Sequence, residues 1–76
     1  MSVTETALEV IARISGTDRS RLTPDLELVA NLGFDSAKAL ELLVTLEEKL
    51  GIEIEDEDAA RLNTVGDILT YLEKPA

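Results

Sequence analysis

Three segments of the chain repeat their apolar residues with the period of an α-helix, and capping residues bound each one. They are residues 2–16, 37–51 and 64–75. The first and third open with a Ser or Thr that precedes an acidic residue by three positions, a pattern in which the two side chains cap each other's free backbone N–H groups. The first two end at a glycine, which readily takes the left-handed conformation that closes a helix. We therefore predict three main helices.

The segment between the second and third of these helices indicates one further helix. Residues 52–55 alternate apolar and acidic side chains like a strand, but no other segment alternates as clearly and could pair with it. We therefore predict an extended connector there. Asp56 or Glu57 can then open a short helix that runs to about Leu62.

A long loop, residues 16–35, is predicted between the first two helices, because its turn signal Thr23-Pro24-Asp25 is followed by leucines without a regular period. These leucines are expected to pack on the core.

The length of 76 residues allows one domain, residues 1–76, and a hydrophobic fraction of 45% with only 3% aromatic residues favours helices over sheets. We predict an all-α fold: a four-helix bundle with a long loop between helices I and II and a short helix III.

Helix II is predicted to bury one stripe and expose the opposite side. The residues of the central apolar stripe are Ala39, Leu43, Leu46 and Leu50, with Leu40 and Leu42 on its flanks. Val44 falls on the polar side beside Glu41 and Glu48, which makes it a small candidate contact spot.

The formal net charge of the chain is -9, from 16 Asp and Glu against 7 Lys and Arg. Such a field repels nucleic-acid phosphates and anionic membrane surfaces, so we expect basic protein partners, no nucleic acid and no membrane insertion.

The absence of Cys and His excludes a thiolate nucleophile, an imidazole base and a Cys/His zinc site, and we expect neither a metal site nor enzymatic activity. The amino-terminal residues lack the pattern of a secretory signal, which favours a cytoplasmic location.

Ser36 stands beside Asp35 at the point where the long loop becomes helix II. Both residue types are preferred helix caps, so capping is the simplest interpretation of the pair. A serine hydrolase is a weaker interpretation than capping, because the chain has no histidine to act as general base and no Gly-x-Ser-x-Gly nucleophile elbow. If Ser36 reacts, another enzyme must supply the base and the electrophile.

The sequence around Ser36 resembles that of acyl carrier proteins. The stretches similar to the attachment motif and second helix of that family are Leu32-Gly33-Phe34-Asp35-Ser36, Ala39-Leu40-Glu41-Leu42 and Leu46-Glu47-Glu48. Gly51-Ile52-Glu53-Ile54 and Asn63-Thr64-Val65-Gly66-Asp67 also resemble the family in order and spacing. The resemblance covers nearly the whole chain, as in a stand-alone carrier, and its Gly-Phe-Asp-Ser motif is most similar to carriers of polyketide assembly.

This resemblance implies that a phosphopantetheinyl transferase attaches the 4'-phosphopantetheine arm of coenzyme A to Ser36, with Asp35 as part of the attachment motif. Acyl groups would then travel as thioesters on the arm to partner enzymes of fatty-acid or polyketide biosynthesis. The arm would import the thiol that this chain lacks. A phosphodiester at Ser36 would also meet the positive end of the helix dipole.

The resemblance further implies a docking surface on helix II and the start of helix III. Acyl-loading, condensing and acyl-transfer enzymes with basic patches would bind it, and the carrier would be a monomer. The predicted docking residues are Ala37, Lys38, Glu41, Val44, Glu47, Glu48 and Asp56. By themselves, the acidic residues indicate only a solvated helical face. Calcium binding by residues 53–58 is disfavoured, because the spacing and turn glycine of an EF-hand loop are missing.

Ala37 and Lys38 depart from the family pattern, in which the residue after the modified serine is commonly Leu and the next is often acidic. Both would lie where partners touch the carrier, so we expect a dedicated pathway rather than the fatty-acid synthase enzymes. Two alternatives stay open. One is an aminoacyl or peptidyl carrier, including a D-alanyl carrier, and the other is a non-carrier helical adaptor in which Ser36 is only a cap.

Overall fold

A computed structural model describes residues 2–73 as four α-helices and one turn of 3-10 helix. In chain order they are α1 (Val3–Ser15), the 3-10 turn (Arg19–Arg21), α2 (Ser36–Leu50), α3 (Asp56–Ala59) and α4 (Val65–Glu73). The described residues contain no strand, only one isolated bridge between Glu27 and Thr64. The predicted all-α fold, with its long loop and short third helix, is confirmed.

The capping residues close α1 and α2 as the sequence predicts. The hydroxyl of Ser2 accepts a hydrogen bond from the N–H of Glu5 at 3.1 Å. Gly16 and Gly51 end the two helices with φ angles of 71° and 66°, in the left-handed region that glycine enters without strain.

α4 begins with a reciprocal capping box. The N–H of Asp67 donates to Thr64 Oγ1 at 3.0 Å, and Asp67 Oδ2 accepts from the N–H groups of Asn63 and Thr64 at 3.0 and 3.1 Å. The hydrogen bond from the N–H of Asn63 contributes most, followed by that from Thr64. Both hold the pKa of Asp67 below its ordinary value because they favour the charged carboxylate. The predicted end of this helix at Pro75 lies outside the described residues.

The core is formed by α1, α2, α4 and the long loop. It is aliphatic apart from one phenylalanine, and its buried residues are Ala7, Val10, Ile11, Leu28, Phe34, Leu42, Leu46, Val65 and Ile68. Thr4 at the start of α1 donates a hydrogen bond to Glu73 at the end of α4. Because these two helices also pack together, they run antiparallel.

The long loop packs on the core, as predicted, and is fastened to the start of α4 by main-chain hydrogen bonds. Leu28 donates to the carbonyl of Asn63 at 2.9 Å, and Val65 donates to the carbonyl of Leu26 at 3.0 Å. The loop side chains Leu28 and Phe34 are only 6% and 3% exposed. The backbone that leads into α2 is therefore held in place by α4.

The buried stripe of α2 is rotated from the predicted one. Leu42 and Leu46 are fully buried, whereas Leu40 is 62% exposed. The sequence placed Leu40 and Leu42 on the two flanks of the stripe, but only Leu42 joins the core, together with residues of α1 and the loop, and the flank that carries Leu40 stays open.

α3 is shorter than predicted and ends at Ala59 rather than near Leu62. The N–H groups of Arg61 and Leu62 donate to carbonyls three residues earlier, at 3.0 and 3.1 Å. Such bonds tighten the last turn and end the α-helix.

Gly66→Ala is expected to destabilise the fold although alanine is the better helix former. Gly66 donates its N–H to the carbonyl oxygen of Pro24 at 2.9 Å, and a Cβ added at Gly66 would stand 2.9 Å from the same oxygen. Alanine would push the loop backbone away from α4. After the propensity gain is offset, we expect a loss of about 1–2 kcal/mol in the free energy of unfolding.

Urea unfolding followed by far-ultraviolet circular dichroism measures this loss. Thr70→Ala, at an exposed position of α4, is the control and should change the free energy of unfolding by no more than about 0.5 kcal/mol. A Gly66→Ala protein as stable as the wild type would contradict the close contact between α4 and Pro24.

Candidate functional site

Ser36 is the first residue of α2, and its side chain is exposed. The residue before it, Asp35, is the N-cap: its Oδ1 accepts the N–H of Lys38 at 2.8 Å, and its carbonyl accepts the N–H of Ala39 at 2.9 Å. The two residues that the sequence offered as caps therefore have separate roles. Asp35 caps the helix, and the hydroxyl of Ser36 is not needed for capping.

The backbone that enters α2 is fixed by its immediate neighbours. Gly33 takes a φ of 71°, which turns the chain toward the helix. The next residue, Phe34, is 3% exposed and donates its N–H to the carbonyl of Leu28 at 2.9 Å. Ser36 is therefore presented two residues after a buried aromatic anchor.

The surroundings of Ser36 fit a covalently attached phosphodiester. α2 has 15 residues, so the positive end of a full helix dipole lies at Ser36 and favours a negative group there. Lys38 is exposed in the same turn and adds a positive charge. An exposed hydroxyl also leaves room for the enzyme that would attach the group.

The predicted docking residues fall into two groups. Those exposed along α2 are Ala37, Lys38, Glu41, Val44 and Glu48. Glu47 and Asp56 instead line a shallow open cleft of about 300 Å³ between the end of α2 and the start of α3. The structure thus brings Glu47 and Asp56 together and leaves the other five on the helix surface.

Glu47 has a structural role that the sequence did not reveal. Its Oε2 accepts the N–H of Ile54 at 2.8 Å, and its carbonyl accepts the N–H groups of Gly51 and Ile52 at 2.9 and 3.2 Å. One half-buried residue therefore fixes the connector between α2 and α3.

Leu40 is an exposed apolar residue beside Ser36 that sequence reasoning missed. It follows Ser36 by four positions, so the two side chains are neighbours on the helix surface. Helical side chains lean toward the amino terminus, which directs Leu40 toward Ser36. Val44, 44% exposed, continues the apolar strip by one more turn. The hydrophobic period could not reveal this strip, because it does not show which flank of a stripe the loop covers.

A second open cleft, of about 700 Å³, lies between α3 and α4. On its wall the hydroxyl of Tyr71 donates to Asp58 Oδ2 at 3.1 Å and ties the short α3 to α4. Partial burial of the tyrosine ring raises the pKa of Tyr71, and the hydrogen bond to Asp58 raises it further.

The described part of the chain has neither a cluster of metal ligands nor a membrane-spanning helix. Within residues 2–73, no group of three or more Asp, Glu, Cys or His side chains is placed to hold a metal ion. None of the helices in this range is long and apolar enough to cross a membrane.

Comparison with known proteins defines the class of this domain as a phosphopantetheine-binding carrier, because the family model for the phosphopantetheine attachment site matches residues 5–72. An acyl carrier protein of Helicobacter pylori is 42% identical over 73 residues, which are 96% of this chain and 94% of that one. The meromycolate extension acyl carrier protein of Mycobacterium leprae is 42% identical over 66 residues, 87% of this chain and 57% of that one. A solved structure of a candidate acyl carrier protein from Mycobacterium tuberculosis superposes with a TM-score of 0.83 at 40% identity and covers 91% of this chain and 92% of that one.

The chain belongs to the acyl carrier protein family. The resemblance, the carrier function and the phosphopantetheine cofactor predicted from the sequence are thereby confirmed. Its relatives are carriers rather than catalysts, and the family works with phosphopantetheinyl transferases and biosynthetic enzymes in general.

Proposed function

We propose that Ser36 bears the phosphopantetheine arm and that the chain catalyses no reaction itself. The observation that carries this proposal is the division of roles at the start of α2, where Asp35 caps the helix and Ser36 keeps an exposed hydroxyl. The sequence contains no His or Cys, so partner enzymes supply the base, the electrophile and the acyl group. The carrier works in the cytoplasm and presents acyl thioesters to those enzymes.

The experiment that tests this proposal is incubation of the apo protein with coenzyme A and a broad-specificity phosphopantetheinyl transferase, followed by intact and peptide mass spectrometry. We expect one phosphopantetheine on the peptide that contains Ser36. Modification of another serine, or none with several transferases, contradicts the proposal. Loading of the holo protein by an amino-acid ligase with ATP, but not by an acyltransferase, would make it an aminoacyl carrier.

Partner enzymes bind the outer side of α2, with the start of α3 at the edge of the contact. Glu41 and Glu48 supply exposed negative charge, while Leu40 and Val44 supply apolar surface beside Ser36. The net charge of -9 favours partners with basic patches, including the transferase and the acyl-loading, condensing and acyl-transfer enzymes. Asp56, exposed at the start of α3, extends the acidic surface.

Ala37 and Lys38 restrict which partners fit. Both are exposed in the first turn of α2, next to Ser36. A pocket shaped for leucine would find only a methyl group at Ala37, and a basic site would meet a like charge at Lys38. These two residues support a dedicated biosynthetic pathway for this carrier.

Glu41→Lys is expected to slow modification and acyl transfer by about five- to tenfold at low salt, because a like charge would face the basic patch of the partner. Added salt should reduce the difference, since screening weakens exposed charges. Initial rates at several ionic strengths measure both effects.

Glu9→Lys is the matched control for charge. It makes the same change on α1 and breaks a surface salt bridge to Arg19 of 3.7 Å, which contributes at most about 1 kcal/mol to stability. Its rates should stay close to those of the wild type. Equal slowing by both variants would mean that only net charge matters and that α2 is not a docking surface.

A further inference from the structure

Val29, in the long loop, is the most exposed of the large apolar side chains in residues 2–73. It is 73% exposed, against 62% for Leu40 and 44% for Val44. A single exposed valine is ordinary on a protein surface. Whether the exposure of Val29 indicates a contact surface therefore depends on whether its backbone is fixed and on which residues lie near it.

The turn that carries Val29 is fixed by hydrogen bonds. Asn31 donates its N–H to the carbonyl of Glu27 at 2.9 Å, and its side-chain Oδ1 accepts the N–H of Glu27 at 2.7 Å. Gly33 donates to the carbonyl of Val29 itself at 3.2 Å, and the preceding residue, Leu28, is buried in the core. A partner that covers Val29 would thus meet a preorganised backbone and would lose little entropy in ordering it.

Val29 also lies close to the proposed attachment residue. Its carbonyl oxygen is 3.2 Å from the N–H nitrogen of Gly33. Gly33 precedes Ser36 by three residues, so the distance from that oxygen to the Cα of Ser36 is at most about 16 Å. A standard interface covers about 800 Å² of each partner, which corresponds to a radius of about 16 Å, so the footprint of an enzyme centred on Ser36 can extend to the turn.

The chemistry of this turn differs from that of α2. Residues 28–34 form the longest run without a charged residue in a chain that is 30% charged. Glu41 and Glu48 on α2 present carboxylates, whereas Val29 and its exposed neighbour Ala30 present only apolar surface. An enzyme over Ser36 that also reaches the turn would meet acidic surface on α2 and uncharged surface on the loop.

We propose that Val29 is a second docking contact, and that enzymes acting at Ser36 cover it with an apolar patch next to their basic residues. This inference rests on the proposed function. Burial of Val29 contributes binding free energy that added salt does not weaken. The attraction between the carboxylates of α2 and basic residues of the partner is screened by salt. Together they fix the orientation of the partner about Ser36 from two sides.

The test compares Val29→Asn with Val3→Asn, the same substitution at a 40% exposed valine at the start of α1. Neither changes the net charge. We expect Val29→Asn to lower kcat/KM about tenfold both for transferase modification of the apo protein and for acyl transfer to the holo protein. The loss should persist at high salt, unlike that of Glu41→Lys. Val29→Ile should react like the wild type, and Val29→Ala should lie between.

The outcomes separate this inference from the proposed function. Wild-type rates for Val29→Asn in both reactions, with Ser36 still modified, would overturn the loop contact alone. Slowing only in the holo reactions would place the arm itself, not an enzyme, against Val29 and would also overturn it. A wild type that is never modified at Ser36 would overturn both. Circular dichroism confirms that each variant is folded before rates are compared.

Discussion

Ser36→Ala is expected to abolish phosphopantetheine attachment while leaving the stability of the fold almost unchanged. The hydroxyl of Ser36 is the proposed nucleophile toward coenzyme A, and no neighbouring residue can replace it without moving the reacting oxygen. The structure separates this role from capping, because Asp35 accepts the N–H of Lys38. Alanine has a high helix propensity, so at this exposed first position the free energy of unfolding should change by no more than about 0.5 kcal/mol.

Asp35→Ala is the complementary variant. It removes the side-chain cap of α2 and should lower the free energy of unfolding by about 0.5–2 kcal/mol, while the hydroxyl of Ser36 remains. We therefore expect Asp35→Ala to be less stable and still modified, and Ser36→Ala to be stable and unmodified. Intact mass spectrometry after incubation with coenzyme A and a transferase measures the modification of each variant, and urea unfolding measures its stability. If Ser36→Ala still gained a phosphopantetheine, the arm would belong to another residue.

Local patterns in the sequence were sufficient to predict α1, α2 and the start of α4, but not the end of α3. The ends of α1 and α2 depend on Ser2, Gly16 and Gly51, and the start of α4 depends on Thr64 and Asp67. These are interactions within a few residues, so they can be predicted from the local sequence without knowledge of the tertiary contacts. The position of Ser36 at the loop-helix junction was predicted for the same reason.

Features that depend on distant parts of the chain could not be predicted in this way. Whether Leu40 or Leu42 is buried depends on where the loop packs, which the period of α2 does not encode. The bond from Ile54 to Glu47 requires the connector to fold back on α2, so Glu47 looked like any other surface carboxylate. The exposure of Val29 similarly depends on the hydrogen-bonded turn around it and on the burial of Leu28.

Phe34→Ala is expected to have the largest effect on stability. The ring is 3% exposed and belongs to a core that is otherwise aliphatic, so its removal leaves a cavity that aliphatic neighbours fill only in part. Loss of a buried phenylalanine costs about 3–5 kcal/mol. A domain of this size has a total stability of about 4–11 kcal/mol, so a large part of it would be lost.

Urea unfolding followed by far-ultraviolet circular dichroism measures the effect, with Phe34→Leu as the control. Leucine keeps most of the apolar volume and should cost no more than about 1.5 kcal/mol. Phe34 lies two residues before Ser36 and donates its N–H to Leu28, so the same cavity should also loosen the start of α2. We therefore expect amide exchange in the first turn of α2 to increase in Phe34→Ala relative to Phe34→Leu. If the two variants were equally stable, the ring would not be the anchor of the attachment site, and the position of Ser36 would depend on the hydrogen bonds of the loop alone.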